Sequence, residues 1–234
     1  MKITPIKTRI FQPKEKLLPF LKKSLPRLRE REILVVTSKI VALAEGRFLN
    51  QTDKKTKERL IKSESSWATP TKHVWLTIKD GAFMAAAGID ESNAAGRLIL
   101  LPQDSFRAAA AICHYFKKLY RLKNLGVIIT DSRCLPLRAG ITGQALGYAG
   151  FQGIKDYRGQ PDLFGRILKI SQVNVADSLA TAAVLTMGEG RERQPLAIIE
   201  AAPVKFTAKT SRRELAIPPT DDIFWPLLKG IRVK

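Results

Sequence analysis

Short apolar runs, each closed by polar or turn-forming residues, recur along the chain. Ile33-Leu34-Val35-Val36 stops at Thr37-Ser38-Lys39. Four apolar residues in a row, without alternation, predict a strand buried on both faces. Val127-Ile128-Ile129, stopping at Thr130-Asp131-Ser132, is the clearest such run, and Leu196-Ala197-Ile198-Ile199 is a third. Residues 73–79 are strand-like, and Leu98 to Leu101 is a short run closed by Pro102. Elsewhere the spacing is helical. Phe106, Ala109, Cys113, Phe116 and Tyr120 recur at intervals of three and four, so a helix is expected from a cap at Asp104 or Ser105 to about Arg121. Val175, Leu179, Ala182 and Leu185 mark one face of an Ala-rich helix over 174–187, whose small residues suit close packing on a sheet. Residues 15–24 predict a short basic helix and 53–62 an exposed one. Residues 140–165 hold seven glycines, which predicts tight turns and close backbone approaches more than a regular element. After Pro203 the chain is rich in Lys, Arg and Pro and is expected to be partly ordered at best. The expected division is a domain over 1–203 and a basic, Pro-containing tail over 204–234. Strands and helices mix without a strict βαβ rhythm, so the expected class is α/β or α+β with mixed sheets.

Charge changes this picture more than composition does. The 40 basic and 21 acidic residues give a formal charge of +19, and residues 1–80 carry 19 basic against 8 acidic side chains. Lys22, Lys23, Arg27, Arg29 and Arg31 form one dense stretch, and Lys54, Lys55, Lys57, Arg59 and Lys62 another. Such charge suits anionic small molecules such as nucleotides. No nucleic-acid recognition motif accompanies it, so nucleic-acid binding is expected to be at most weak and non-specific. No apolar run approaches the roughly 20 residues that span a bilayer. No apolar signal core follows the basic Met1–Arg9 segment. A cytoplasmic protein with no membrane partner is the expectation. Cys113 and Cys134 make no metal-binding spacing and fit a reducing compartment. His114, beside the apolar face of its helix, reads as structural.

Three carboxylates stand out by context. Asp131 ends a buried strand, where α/β sheets present side chains to ligands. Asp90 lies in the acidic, turn-forming segment Ala87-Gly88-Ile89-Asp90-Glu91-Ser92-Asn93, and Glu189 lies between Gly188 and Gly190 after the Ala-rich helix. Carboxylates and hydroxyls are the ligands that magnesium and manganese prefer at nucleotide sites, and Ser132 could add a hydroxyl. Taken singly, each is better explained as a turn residue (Asp90), a cap (Asp131) or a solvated loop residue (Glu189). There is no GxxxxGK[ST] phosphate loop, nucleophile elbow, HExxH helix or dinucleotide fingerprint.

A series of short motifs goes further. Val35-Val36-Thr37-Ser38-Lys39-Ile40-Val41 is followed by Ala44-Glu45-Gly46-Arg47, by Ala87-Gly88-Ile89-Asp90 with Ser92-Asn93, and by Leu100-Leu101-Pro102. Gly126-Val127-Ile128-Ile129-Thr130-Asp131-Ser132, Gly147-Tyr148-Ala149-Gly150 and Lys155-Asp156-Tyr157-Arg158-Gly159 come next. Asp162-Leu163-Phe164-Gly165-Arg166, Val175-Ala176-Asp177 and Met187-Gly188-Glu189-Gly190 close it. In this order, from about residue 33 to about residue 200, the series resembles the coenzyme F420-0:L-glutamate ligases, or gamma-glutamyl ligases. The resemblance implies an unusual α/β fold in an intertwined homodimer. It implies a ligase that uses GTP and Mg2+ or Mn2+ to join the amine of L-glutamate to a carboxylate of an anionic acceptor such as coenzyme F420-0, by way of an acyl phosphate. It further implies that Asp90 and Asp131 hold one metal ion, and Ser132 and Glu189 the other. Ser38, Lys39, Asn93 and the segment from Met187 to Gln194, with Met187, Gly188 and Gly190, would contact the guanine nucleotide. Arg138 is the arginine kept for catalysis.

Several positions depart from the family pattern. Cys134-Leu135 stands where the family usually has Gly-Arg, Leu137 where it has an aromatic residue, Ala86 where it often has asparagine, and Leu43 where many members have lysine. These departures fit a changed acceptor, such as a folate, or weakened catalysis. A nucleotide- or nucleic-acid-binding protein without ligase activity is the alternative from another class.

Overall fold

Three of the apolar runs become neighbouring strands of one sheet. The structure is a computed structural model that describes residues 1–50 and 53–231. The first half of the chain runs β1 (Lys2–Ile6), α1 (Leu17–Ser24), β2 (Ile33–Thr37), α2 (Ser38–Glu45), β3 (Phe48–Asn50), α3 (Lys54–Ser63), β4 (Trp67–Pro70), β5 (Trp75–Lys79), β6 (Ala82–Ala85) and β7 (Arg97–Ile99). It continues with α4 (Ser105–Tyr120), β8 (Gly126–Cys134), β9 (Ile141–Ala149), β10 (Ile154–Asp156), β11 (Gln172–Asn174), α5 (Val175–Met187), β12 (Leu196–Glu200) and α6 (Trp225–Leu228). The main sheet has the order β1-β12-β2-β8-β9. Strands β2 and β8 are parallel, with Thr37 level with Thr130, and every other pairing in this sheet is antiparallel. Smaller sheets pair β3 with β7, β10 with β11, and β4 with β5 and β6.

The central strands are apolar throughout because both faces are covered. Leu34, Val36, Val127 and Ile129 pack against Phe20, Leu21, Val41 and Phe116 on one face. Ile33, Val35 and Ile128 point the other way, to Tyr148, Phe151 and the small residues Ala176, Ala180 and Ala183 of α5. Each such aliphatic side chain contributes about 1.5–3 kcal/mol through burial. The buried face of α5 is Ala176, Leu179, Ala180, Ala183 and Met187, so the expected face is rotated, and Leu185 is 82% exposed.

The largest correction concerns the glycine-rich stretch. Instead of turns alone it contains the nine-residue strand β9. The glycines inside this strand serve close approach. A Cβ on Gly143 would lie 2.4 Å from the Ala180 carbonyl oxygen of α5, and one on Gly147 would lie 2.4 Å from the Ser105 carbonyl carbon at the start of α4. Both helices therefore sit directly on this edge strand. The segment after Pro203 is tied back to the preceding residues by specific contacts. Phe206 bridges to Phe151, Thr207 N–H donates to the Gly150 carbonyl at 3.0 Å, and Tyr148 donates its hydroxyl to Glu214 at 2.5 Å. Arg212 donates to Asp104 at 2.6 Å. No helix among the described residues is long and apolar enough to cross a membrane.

Candidate functional site

Parallel β2 and β8 run toward the same edge of the sheet, where the chain stops β2 at Thr37 but carries β8 past the expected stop at Thr130-Asp131-Ser132 to Cys134, still paired with β9. After β2 it turns directly into α2. Ser38, the first residue of that helix, is buried, and its hydroxyl donates to Asp131 Oδ1 at 3.3 Å. Thr37, which caps α2, makes no side-chain capping bond, and the first turn holds no acidic residue. Among the described residues, no side chain claims the N–H groups of that turn or the positive end of the helix dipole.

Asp90 is delivered to the same edge by a strained loop. Ala86 (φ 48°), Ala87 (φ 56°), Asn93 (φ 52°) and Ala95 (φ 51°) all have left-handed backbone, a conformation that costs an L-residue roughly 1–2 kcal/mol. The loop is held by specific bonds. Buried Thr77 accepts the Ala87 N–H at 2.9 Å, and Asp90 exchanges two backbone bonds with Ile99, both 2.9 Å. Strain maintained in this way concentrates at functional sites.

Asp90 accepts the Ser92 N–H at 2.6 Å and the Ser92 hydroxyl at 2.9 Å. Lys39 sits against the same turn, with its ammonium 2.8 Å from Asp90 Oδ2 and 2.7 Å from the Ser92 carbonyl. Ser92 thus joins Lys39 to Asp90, a role that the sequence reading missed. The Asp-x-Ser spacing of an Asx turn was the available signal. On the other side, Ser132 donates to Glu189 at 2.5 Å, and Asn93 donates its amide to the Gly190 carbonyl at 3.0 Å. Gly188, at φ 79°, turns the chain out of α5, and a Cβ there would lie 2.6 Å from Glu192 Cδ.

Ser38, Lys39, Asp90, Asn93, Asp131, Ser132, Glu189 and Gly190 therefore share one edge. Two expected residues stand apart. Met187 is 4% exposed and packs its side chain in the core, so only its backbone faces the loop. Arg138 lies in the exposed turn between β8 and β9, and its guanidinium makes no hydrogen bond or ion pair among the described residues.

The electrostatics of the two aspartates differ. Burial, and then the negative charge of Asp90, push Asp131 from 3.8 up to about 7, against the opposing pull of the Ser132 N–H, the Ser38 hydroxyl and Lys39. Burial also works against ionisation of Asp90, but Lys39 and Ser92 hold it below its ordinary value. The carboxylate oxygens of Asp90 and Asp131, with Lys39 paired to Asp90, are oxygen donors of the kind that suits a hard divalent cation. No three His, Cys, Asp or Glu side chains gather into a single cage among the described residues. The donors instead form two groups, Asp90 with Asp131, and Ser132 with Glu189.

A model of the family described as F420-0:Gamma-glutamyl ligase matches residues 5–201. The chain belongs to this family. It is 33% identical over 215 residues to "Coenzyme F420:L-glutamate ligase" of Methanococcus maripaludis, covering 84% of this chain and 86% of that protein. The proteins of the same name from Methanopyrus kandleri and Methanosarcina mazei are each 32% identical, covering 84% and 88% of this chain and 86% and 88% of theirs. In this member of the family, Leu43 lies on the buried face of α2 and packs in the core. Leu135 and Leu137 occupy the same exposed turn as Arg138 and are 38% and 104% exposed.

Proposed function

We propose that the protein joins the amine of L-glutamate to a carboxylate of coenzyme F420-0 or a closely similar acceptor, using GTP and Mg2+ or Mn2+. The observation that carries this reading is the convergence of Asp90, Asp131, Ser132 and Glu189 beside the uncapped start of α2. A carboxylate is a poor electrophile toward an amine until one of its oxygens is converted to a leaving group. Transfer of the γ-phosphoryl group of GTP to the acceptor carboxylate gives an acyl phosphate and GDP. Attack by the glutamate amine then releases phosphate and forms the amide, with loss of a proton from nitrogen. Divalent ions, when bound, would neutralise phosphate charge in the first step. Asp90 and Asp131 would hold one ion, and Ser132 and Glu189 the other. The N–H groups at the start of α2 would meet phosphate oxygens, while Asn93 fixes the 188–190 segment against the nucleotide.

Arg138 is the remaining candidate for charge stabilisation near the acceptor. It would reach the transferred group only if the exposed turn closed over bound substrates. Leu135 and Leu137 make that turn apolar on both sides of Pro136, which favours a second reading in which the acceptor differs from coenzyme F420-0. We also propose a homodimer. Leu163, Phe164 and Ile170 are 97%, 95% and 87% exposed on the excursion between β10 and β11. Clustered apolar exposure of this kind is characteristic of interaction surfaces. Light scattering at micromolar concentration tests it, and a monomer there refutes it.

The deciding experiment combines protein, GTP, Mn2+, labelled glutamate and either coenzyme F420-0 or folate. The expected result is GDP and a glutamylated product in equal amounts. GDP formation without glutamylation of any acceptor would reject the ligase reading, and product from folate alone would reject the first acceptor.

A further inference from the structure

Two neighbouring carboxylates share this edge, but they are not treated alike. Asp90 has an ammonium on Oδ2 and two bonds from Ser92, so both of its oxygens are engaged. Asp131 has no ion pair among the described residues, and its one side-chain donor is the Ser38 hydroxyl at 3.3 Å. The cation that balances the pair is Lys39, whose side chain is only 23% exposed. It is anchored by Ser92 as well, through the carbonyl at 2.7 Å and the hydroxyl at 3.2 Å. Its backbone lies in the first turn of α2, whose N–H groups no side chain caps among the described residues.

We propose that Lys39 is an exchangeable counter-ion that couples cation binding to nucleotide binding. The inference rests on the reading of Asp90 as a cation ligand. A divalent ion on Asp90 Oδ2 and an ammonium 2.8 Å from the same oxygen repel each other. One of them must leave, and the lysine has a flexible four-carbon stem on which to move. Its tether at the start of α2 limits where the charge can go. The nearest new anion is a phosphate held by the N–H groups of that same turn. Without nucleotide, the ion must displace Lys39 into water and binds weakly. With nucleotide, the displaced ammonium gains a phosphate, and both ligands bind more tightly. Such coupling is reciprocal by thermodynamic necessity.

This mechanism gives a sign that a structural salt bridge does not. Free Mn2+ is measured by electron paramagnetic resonance with and without saturating GDP, for the full chain and for Lys39→Gln. Loss of the competing ammonium should tighten nucleotide-free Mn2+ binding about tenfold, equivalent to ~1.4 kcal/mol. It should weaken Mn2+ binding in the presence of GDP by a similar factor. Lys39→Arg keeps the charge and should leave nucleotide-free Mn2+ affinity within about threefold of the parent. Circular dichroism establishes that each variant is folded. If Lys39→Gln fails to fold, the Lys39→Arg protein still tests the idea, because tighter Mn2+ binding with the charge retained would overturn it. Unchanged or weaker nucleotide-free Mn2+ binding in folded Lys39→Gln overturns the exchange and leaves the cation site standing. Absence of Mn2+ binding by the parent protein removes the cation site itself, and the exchange with it.

Discussion

Replacing Asp131 by asparagine is expected to stabilise the metal-free protein above neutral pH, even though it should abolish cation binding. The folded protein holds the Asp131 proton up to about pH 7, whereas the unfolded chain releases it near 3.8. A carboxyl group raised in this way binds its proton more tightly when folded. Its contribution to stability is therefore present below 3.8 and is lost as pH rises through about 7. A shift of roughly three units corresponds to at most about 4 kcal/mol. Asp131 is partly accessible to water, which shares the charge, so about half of that figure is the expected gain. Asparagine keeps an oxygen to accept from Ser38 and from the Ser132 N–H, so the hydrogen bonds survive. A gain of ~2 kcal/mol raises Tm by about 4–8 °C in a chain of this size. The assay is thermal unfolding with a chelator between pH 4 and pH 8.5, read as the difference between variant and parent. That difference should be near zero at the acid end and grow toward the alkaline end. Adding Mn2+ should raise the midpoint of the parent and not of the variant. A difference independent of pH, or a variant less stable at pH 8.5, would refute the argument that burial beside Asp90 keeps this carboxyl protonated.

Ala86, at φ 48°, occupies a conformation that asparagine tolerates better. Ala86→Asn is therefore expected to raise stability by about 0.5–1 kcal/mol in urea unfolding, and a loss of stability would show that the side chain is constrained by something other than backbone strain. Tyr148→Phe removes the hydroxyl that meets Glu214 and should cost about 1–3 kcal/mol while exposing the 204–216 segment to protease; unchanged digestion would show that the segment is held by Phe206 and Arg212 alone. The two dense basic stretches supply none of the candidate site's residues. Anisotropy with labelled duplex and single-stranded DNA should show weak binding that disappears near physiological salt, with a log–log slope of about −0.9 per neutralised phosphate on the duplex. Sub-micromolar binding at that salt, abolished by neutralising Lys22, Lys23, Arg27, Arg29 and Arg31, would favour a nucleic-acid partner instead.

What could be read from the chain beforehand depended on how each segment is buried. Strands β2, β8 and β12 were legible because burial on both faces demands uninterrupted apolar runs. Helix α4 was legible because one face meets the sheet and the other meets water. Strand β1 was missed because it lies at the edge of the sheet, where Lys2 and Pro5 are tolerated. Helix α2 was missed because five of its eight residues are buried, which leaves little amphipathic period in so short a helix. Strand β9 was hidden by its own glycines, whose purpose is set by the helices lying over them. The site followed the same logic. Asp131 could be singled out because it follows the buried run Val127-Ile128-Ile129, although β8 itself continues to Cys134. The pairing of Ser132 with Glu189 spans 57 positions, and that of Lys39 with Ser92 spans 53. No local pattern encodes contacts of that range. The segment from Ala87 to Asn93 read as turn-forming, but the left-handed backbone of Ala86 and Ala87 themselves carried no signal, because alanine is not a residue that such turns select.

The placement of the departing residues bears on how a member of this family could change its acceptor. Cys134, Leu135 and Leu137 all lie at or beyond the end of β8, in an exposed turn whose side chains support neither core. Asp131 and Ser132 lie only a few residues earlier, but there the strand is still paired with β9 and its side chains are tied to α2 and to the loop after α5. A substitution in the turn alters what the site presents to its second substrate without moving a carboxylate. A substitution at Asp131 or Ser132 disturbs the sheet edge, the start of α2 and the 188–190 loop together. Buried Leu43 differs in kind, because a lysine there would have to extend its ammonium out of the core to reach a ligand. An acidic edge tied into the sheet beside an exposed turn that supports neither core is thus what lets this architecture vary the turn alone, and it fits the proposed phosphate chemistry serving an altered acceptor.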